Sequence, residues 1–164
     1  MKVQVLRLNQ DDPSKCTAAK LVKFRIATQV KMTTDRTMVL NPFTEKIVLR
    51  TDRQYVDSIT AIDCSWELAQ KTFLKKFGGL SKRLPPLLAG NPVNYSKIGK
   101  LSTAEAIAGA LYIMNFKDLA DSILNKFKWG HTFLDLNEDI LREYSIAETA
   151  DQMSEISREY GLAI

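Results

Sequence analysis

The sequence predicts an α/β unit with a largely parallel sheet, followed by a helical unit. Three observations carry this. Strand-like apolar runs alternate with helix-period segments through the first half. From Ser102 onward the periodicity is helical throughout. The charge changes sign along the chain. Residues 1–90 hold 16 Lys/Arg against 8 Asp/Glu, a net of +8, and residues 91–164 hold 7 against 11, a net of −4. The expected division is therefore 1–90 and 91–164.

MKVQVLRL (1–8) alternates apolar and polar residues, as a strand with one buried face does. NQDDPSKCT (9–17) carries turn chemistry. TAAKLVKFRIAT (17–28) reads as a helix with Ala18, Leu21, Val22 and Ile26 near one face, and Thr17 is placed to cap it. TMVL (37–40) is a short strand broken at Pro42, whereas TEKIVLRTDRQ (44–54) is mixed and basic and predicts no firm element. The apolar run from Ile59 closes in AIDCSW (61–66) and predicts a short buried strand. WELAQKTFLKKF (66–77) has helical spacing, stopped by the glycines at 78 and 79. LPPLLAGNPVNY (84–95) predicts a structured loop around a short strand. STAEAIAGALYIMN (102–115) is a deeply buried helix, with Ser102 and Glu105 at capping-box spacing and Asn115 at its end. FKDLADSILNKF and LNEDILREYSIAETADQMSEISREYGL continue the helical pattern.

Composition narrows the class. The chain is 45% hydrophobic and 26% charged, ordinary for a folded soluble protein. No apolar stretch approaches a membrane span, and the N-terminus lacks the apolar core of a signal peptide. An intracellular protein is expected, with Cys16 and Cys64 as free thiols. With no CxxC pair and His131 as the single histidine, zinc is not expected. His131 lies in KWGHTF (128–133), where a structural turn is the expectation. GxGxxG, GxxxxGK[ST], GxSxG and HExxH are all absent.

Open α/β sheets bind ligands at the carboxyl ends of their strands. Asp63 and Trp66 fall at one such end, and Leu40 and Pro42 at another. A carboxylate beside an indole suits a cationic, partly apolar ligand. The residues alone leave open the plainer alternative, in which Asp63 caps the next helix and Trp66 is core. The basic half suits a polyanion such as RNA, or is a solvated lysine surface.

Six stretches, in order, carry a resemblance: DDPSKCTAAKL (11–21), LNPF (40–43), AIDCSWE (61–67), LPPLLAGNPVNY (84–95), KLSTAEAIAGALYI (100–113) and KFKWGHTFLDLN (126–137). They resemble the ribosomal RNA small-subunit aminocarboxypropyltransferase family, from residue 1 to about residue 145. The resemblance implies a SPOUT-like parallel sheet with a deep trefoil knot in the N-terminal half, and an all-helical C-terminal domain. It implies transfer of the 3-amino-3-carboxypropyl group of S-adenosylmethionine to N3 of a uridine or (methyl)pseudouridine in small-subunit rRNA. 5′-Methylthioadenosine is released, and the setting is ribosome biogenesis. A SPOUT RNA methyltransferase and a non-catalytic rRNA-binding assembly factor are the alternatives.

Site roles follow from the same resemblance. Asp63 is the catalytic position, taking the N3 proton or holding the substrate. Trp66 and Ala69 enclose the cofactor's methyl group. Thr17 and Thr103 hold the carboxylate of the transferred arm. Ile62 offers its backbone to the ribose. Leu40, Pro42 and Leu84 surround the adenine, and Gly99 stands where the family often has an aromatic residue. Lys15, Lys20, Arg50, Arg53, Lys82 and Arg83 are the candidate phosphate contacts. The implied partner is small-subunit rRNA or a pre-ribosomal particle. The chain is expected to be a cytoplasmic monomer needing neither membrane nor metal.

Overall fold

The computed structural model describes residues 1–8 and 16–162. It divides into two compact units, Met1–Lys46 with Tyr55–Arg83, and Ile47–Gln54 with Leu84–Ile164. The division at 83/84 precedes the expected one at 90/91, because LPPLLAG is tied to the later helices. The Asn137 carboxamide accepts from Leu88 N–H and donates to Leu88 O, both at 2.8 Å, and Tyr144 Oη donates to Pro86 O at 3.0 Å.

The first unit is built on a wholly parallel five-stranded sheet. Its strands are β1 (Lys2–Arg7), β2 (Thr28–Val30), β3 (Thr37–Leu40), β4 (Ser58–Asp63) and β5 (Leu80–Lys82), in the order β2-β1-β4-β3-β5. β4 is the centre, pairing with β1 from Lys2↔Ser58 to Arg7↔Asp63 and with β3 from Thr37↔Ser58 to Leu40↔Ala61. All six of its residues are buried, as in a parallel strand covered on both faces. Full burial of Ile59 alone contributes about 2 kcal/mol. The buried hydroxyls on this sheet are satisfied in a chain. Thr60 Oγ1 lies 2.7 Å from Thr37 Oγ1 and 3.0 Å from Gln4 Oε1.

Helices α1 (Thr17–Lys23) and α2 (Trp66–Thr72) are both shorter than their patterns suggest. α1 stops because Arg25 takes a left-handed conformation, φ +60°, in a Schellman ending: Ile26 N–H reaches Leu21 O and Arg25 N–H reaches Val22 O. The freed chain then becomes β2 instead of a further helical turn. α2 stops where the Thr72 hydroxyl bonds back to Leu68 O at 2.9 Å. Beyond it, Phe73 and Phe77 pack on the cluster of Leu6, Val39 and Ile62. Burial of two rings outweighs one more helical turn.

The second unit contains a 3-10 helix over Arg50–Gln54 and the helices α3 (Thr103–Ile113), α4 (Lys117–Leu124), α5 (Gly130–Tyr144) and α6 (Ala150–Glu159). α3 is buried nearly all round, opens with the full Ser102/Glu105 capping box, and closes with Asn115 at φ +66°. Gly90 sits so close to α5 that a Cβ there would lie 2.5 Å from Phe133 N. Of KWGHTF, expected as a turn, Lys128 and Trp129 form a turn and the residues from Gly130 begin α5, with Phe127 and Trp129 stacked at 4.9 Å and His131 exposed.

Candidate active site

The parallel register brings Leu40, Ile62, Asp63 and Arg7 to one edge of the first unit, the carboxyl edge where such sheets hold ligands. Asp63 ends β4 and is only 7% exposed. The Cys16 thiol donates to Asp63 Oδ2 at 3.1 Å. Its sulfur also accepts from Ala19 N–H at 3.4 Å, so Cys16, not Thr17, is the N-cap of α1. Thr17 is the first helical residue. Arg7, opposite Asp63 in the register, holds its Nε 3.8 Å from the same oxygen. That separation gives charge attraction without a hydrogen bond, and among the described residues the buried Nε has no hydrogen-bond partner.

Burial is the main force pushing the Cys16 thiol above its usual range. The hydrogen bond to Asp63 and its negative charge push the same way. The thiol therefore stays protonated at neutral pH and remains a donor. The arrangement is a buried carboxylate, a thiol donor and a guanidinium at a strand end. It can take a proton or face a cation.

Ser65 holds the N-cap position of α2 and makes no side-chain cap bond. Ala69 is buried on α2 at 2% exposure, whereas Trp66 begins that helix with its side chain outside the described residues. Leu40 ends β3 and is buried; Pro42, two residues on, is exposed. In the second unit, Thr103 is the first residue of α3 and Leu84 lies beside Gly109 of the same helix. Gly99 has φ +73° and donates its N–H to Leu87 O at 2.9 Å. Nothing stands within 4 Å of where its Cβ would be, but a larger residue there would carry backbone strain.

The basic candidates differ in their surroundings. Lys15 is outside the described residues. Arg50 is paired with Glu148 at 2.6 Å. Arg53 donates to Met114 O at 3.3 Å and lies 4.5 Å over the Phe116 ring. Lys82 is buried at the end of β5, while Lys20 and Arg83 are half-buried. Phosphate contact by Arg50 or Arg53 would compete with partners on the same chain, for Arg50 the exposed Glu148.

Two residues of the edge escaped the sequence. Arg7 belongs to an alternating strand like any other. Cys16 lies in a turn-like stretch, and its one signal was a position just before a helix.

Comparison with known proteins extends these findings. Residues 38–161 match the family described as "Ribosome biogenesis protein, C-terminal". Residues 1–34 match "Possible Fer4-like domain in RNase L inhibitor, RLI". The four-cysteine set of an iron–sulfur cluster does not exist here, since the chain has two cysteines and only Cys16 falls in that span. A 16S rRNA aminocarboxypropyltransferase of Methanobrevibacter smithii is 43% identical, over 98% of this chain and 97% of its own. One from Methanothermobacter thermautotrophicus is 42% identical, over 98% of each. The solved structure of the SAM-dependent rRNA:acp-transferase Tsr3 from Vulcanisaeta distributa superposes with a TM-score of 0.87 at 37% identity, over 98% of this chain and 89% of that one. With likeness of this extent in both sequence and fold, the chain belongs to the 16S rRNA aminocarboxypropyltransferase family.

Proposed function

We propose that the chain transfers the 3-amino-3-carboxypropyl group of S-adenosylmethionine to N3 of a uridine or (methyl)pseudouridine in small-subunit rRNA, leaving 5′-methylthioadenosine. The observation that carries this is the buried Asp63 carboxylate at the carboxyl end of the central strand, with Cys16 beside it. A buried carboxylate at an apolar strand edge suits a cationic sulfonium joined to an adenosine. When bound, S-adenosylmethionine supplies an alkyl carbon activated by positive sulfur.

Asp63 accepts the N3 proton or holds the substrate base, and the Cys16 thiol fixes the orientation of its carboxylate. The Thr17 hydroxyl and amide hold the carboxylate of the transferred arm. Ile62 turns its backbone to the ribose, and Leu40 and Pro42 flank the adenine. Trp66 and Ala69 enclose the methyl, so that the longer arm faces RNA; orientation of this kind decides which carbon reacts. Leu84, Gly99 and Thr103 keep the cofactor-binding roles that the family likeness implies. Lys15, Lys20, Arg50, Arg53, Lys82 and Arg83 remain proposed phosphate contacts.

The SPOUT-like relation and the trefoil knot belong to the same proposal. They are supported by the parallel sheet, in which β4 is inserted between β1 and the earlier-formed β3. The proposal also covers a cytoplasmic monomer acting on pre-ribosomal particles. Among the described residues no helix is long and apolar enough to cross a membrane, and no cluster of three His, Cys, Asp or Glu could hold a metal.

Mass spectrometry of small-subunit rRNA incubated with the protein and S-adenosylmethionine tests the reaction. A mass gain of one aminocarboxypropyl group is expected. Gain of a methyl group would make this a methyltransferase. Absence of any heat on titration with S-adenosylmethionine would make it an assembly factor.

A further inference from the structure

We propose that the loop at residues 91–100 of the second unit is a contact for unpaired RNA, with Tyr95 stacking on a base and Lys97 and Lys100 meeting the flanking phosphates. This rests on the rRNA reading above and adds a surface that the six basic candidates do not include.

The tip of the loop presents apolar surface to solvent. Val93 is 84% exposed, Tyr95 57% and Ile98 40%. Single exposed apolar residues are normal, but three within six positions beside two lysines form a patch. An exposed aromatic ring next to cationic side chains is what a single-stranded nucleic acid uses, since every base has a face to stack and every linkage a charge. The charge pattern favours RNA over a protein partner. From Leu84 to Ala104, within the second unit, the chain has two lysines and no Asp or Glu. Within the loop itself, no acidic side chain competes with a phosphate.

The base of the loop is rigid. Ala89 and Ser96 are joined through Ser96 N–H to Ala89 O at 2.7 Å, and Ala89 N–H reaches Lys97 O at 3.0 Å. Beneath the tip, the buried Glu105 carboxylate accepts from Gly90 N–H, Asn91 N–H and the Asn91 carboxamide at 2.6–2.9 Å. A tip held this way loses little conformational freedom when a base docks, which favours binding.

The test uses the full-length protein and a fluorescent small-subunit rRNA fragment containing the target nucleotide in an unpaired loop. Tyr95→Ala is expected to weaken RNA binding about tenfold, and Tyr95→Phe to keep it near wild type, because the ring and not the hydroxyl does the stacking. Lys97→Gln should lower the salt dependence of binding by about one unit of slope. The affinity for S-adenosylmethionine, read by calorimetry, should stay unchanged in all three. A Tyr95→Ala protein that binds RNA like wild type overturns the inference alone. So does one whose loss falls on the cofactor, which would put the loop in the cofactor site. Crosslinking from position 95 to a ribosomal protein in place of rRNA would make the patch a protein-docking surface. A wild-type protein that neither binds nor modifies the RNA overturns the rRNA reading with it.

Discussion

Three carboxylates are buried among the described residues, Asp63 in the first unit and Asp52 and Glu105 in the second, and Glu105 and Asp63 are treated differently. Glu105 is fully buried and takes four N–H donors: Gly90, Asn91 twice, and Ser102 at 2.7 Å. Its neighbours are backbone and amide groups locked in place. Asp63, also buried, keeps beside it a weak thiol donor and a guanidinium nitrogen just beyond hydrogen-bond reach. The first arrangement is saturated and holds a loop. The second faces a thiol and a guanidinium, and under the proposed function it is the carboxylate that meets the substrate. Burial alone therefore does not say what a carboxylate does; its neighbours bear on it.

Loss of the saturated carboxylate should have the largest effect on stability. Glu105→Ala strands several buried N–H groups and should cost about 4 kcal/mol. A fall of about 10 °C in the thermal midpoint, seen by calorimetry, is expected. A change of only a degree or two would mean that water replaces the carboxylate easily, and the contrast would fail.

Asp63→Asn should do the reverse. It keeps size and much of the packing, so the thermal midpoint should hardly move, while single-turnover transfer falls about 100-fold or more. Equal losses of transfer and of S-adenosylmethionine affinity would reassign Asp63 to binding.

Cys16 sharpens the comparison further. Cys16→Ser keeps the cap and a hydroxyl donor, and should stay within a few-fold of wild-type transfer. Cys16→Ala loses the cap, at about 1 kcal/mol, and removes the thiol donor from the Asp63 carboxylate. The raised thiol has a sign that can be checked. Protonated thiol is favoured by the fold, so its contribution is whole below the ordinary value of 9.0 and fades as pH rises through the raised one. Alkylation of Cys16 by iodoacetamide, followed by mass spectrometry, should therefore begin at higher pH in the folded protein than in urea.

The smallest effect concerns Tyr144. Its hydroxyl donates to Pro86 O and lies 2.9 Å from Ser157 Oγ, and burial pushes its pKa up to about 12 from 10.0. The Tyr144 contribution to stability should be constant below pH 10 and decline as pH rises from 10 towards 12, because the unfolded chain loses the proton first. Tyr144→Phe, made in a Cys16→Ser background, should cost about 1 kcal/mol at neutral pH and make that alkaline decline shallower.

Much of the fold was legible where local chemistry and tertiary demand agree. β1 alternates apolar and polar residues, and β3 and β4 are largely apolar runs. The capping box at Ser102 and the left-handed Asn115 were both visible, since Asn is a usual ending of this kind. Arg25 ends α1 in the same geometry without any such signal. β2 and β5 are three-residue edge strands, TQV and LSK, that exist through pairing with β1 and β3. At the site, Asp63 stood out as a carboxylate closing an apolar run. Its partners Arg7 and Cys16 did not, because strand register and a distant helix start bring them there. Glu105 was readable as a cap, but its hold on Gly90 and Asn91 depends on contacts that span the sequence.

The strand order has a consequence for how the protein is born. β1 with β2, and β3 with β5, form two half-sheets that β4 alone joins. While the nascent chain emerges, β1 and β3 are made before the strand that must slide between them. Until residues 58–63 leave the exit tunnel, two open edges wait with unpaired amides, vulnerable to aggregation and in need of shelter. A chain stalled short of that keystone would hold the beginnings of a sheet with nothing to fuse them.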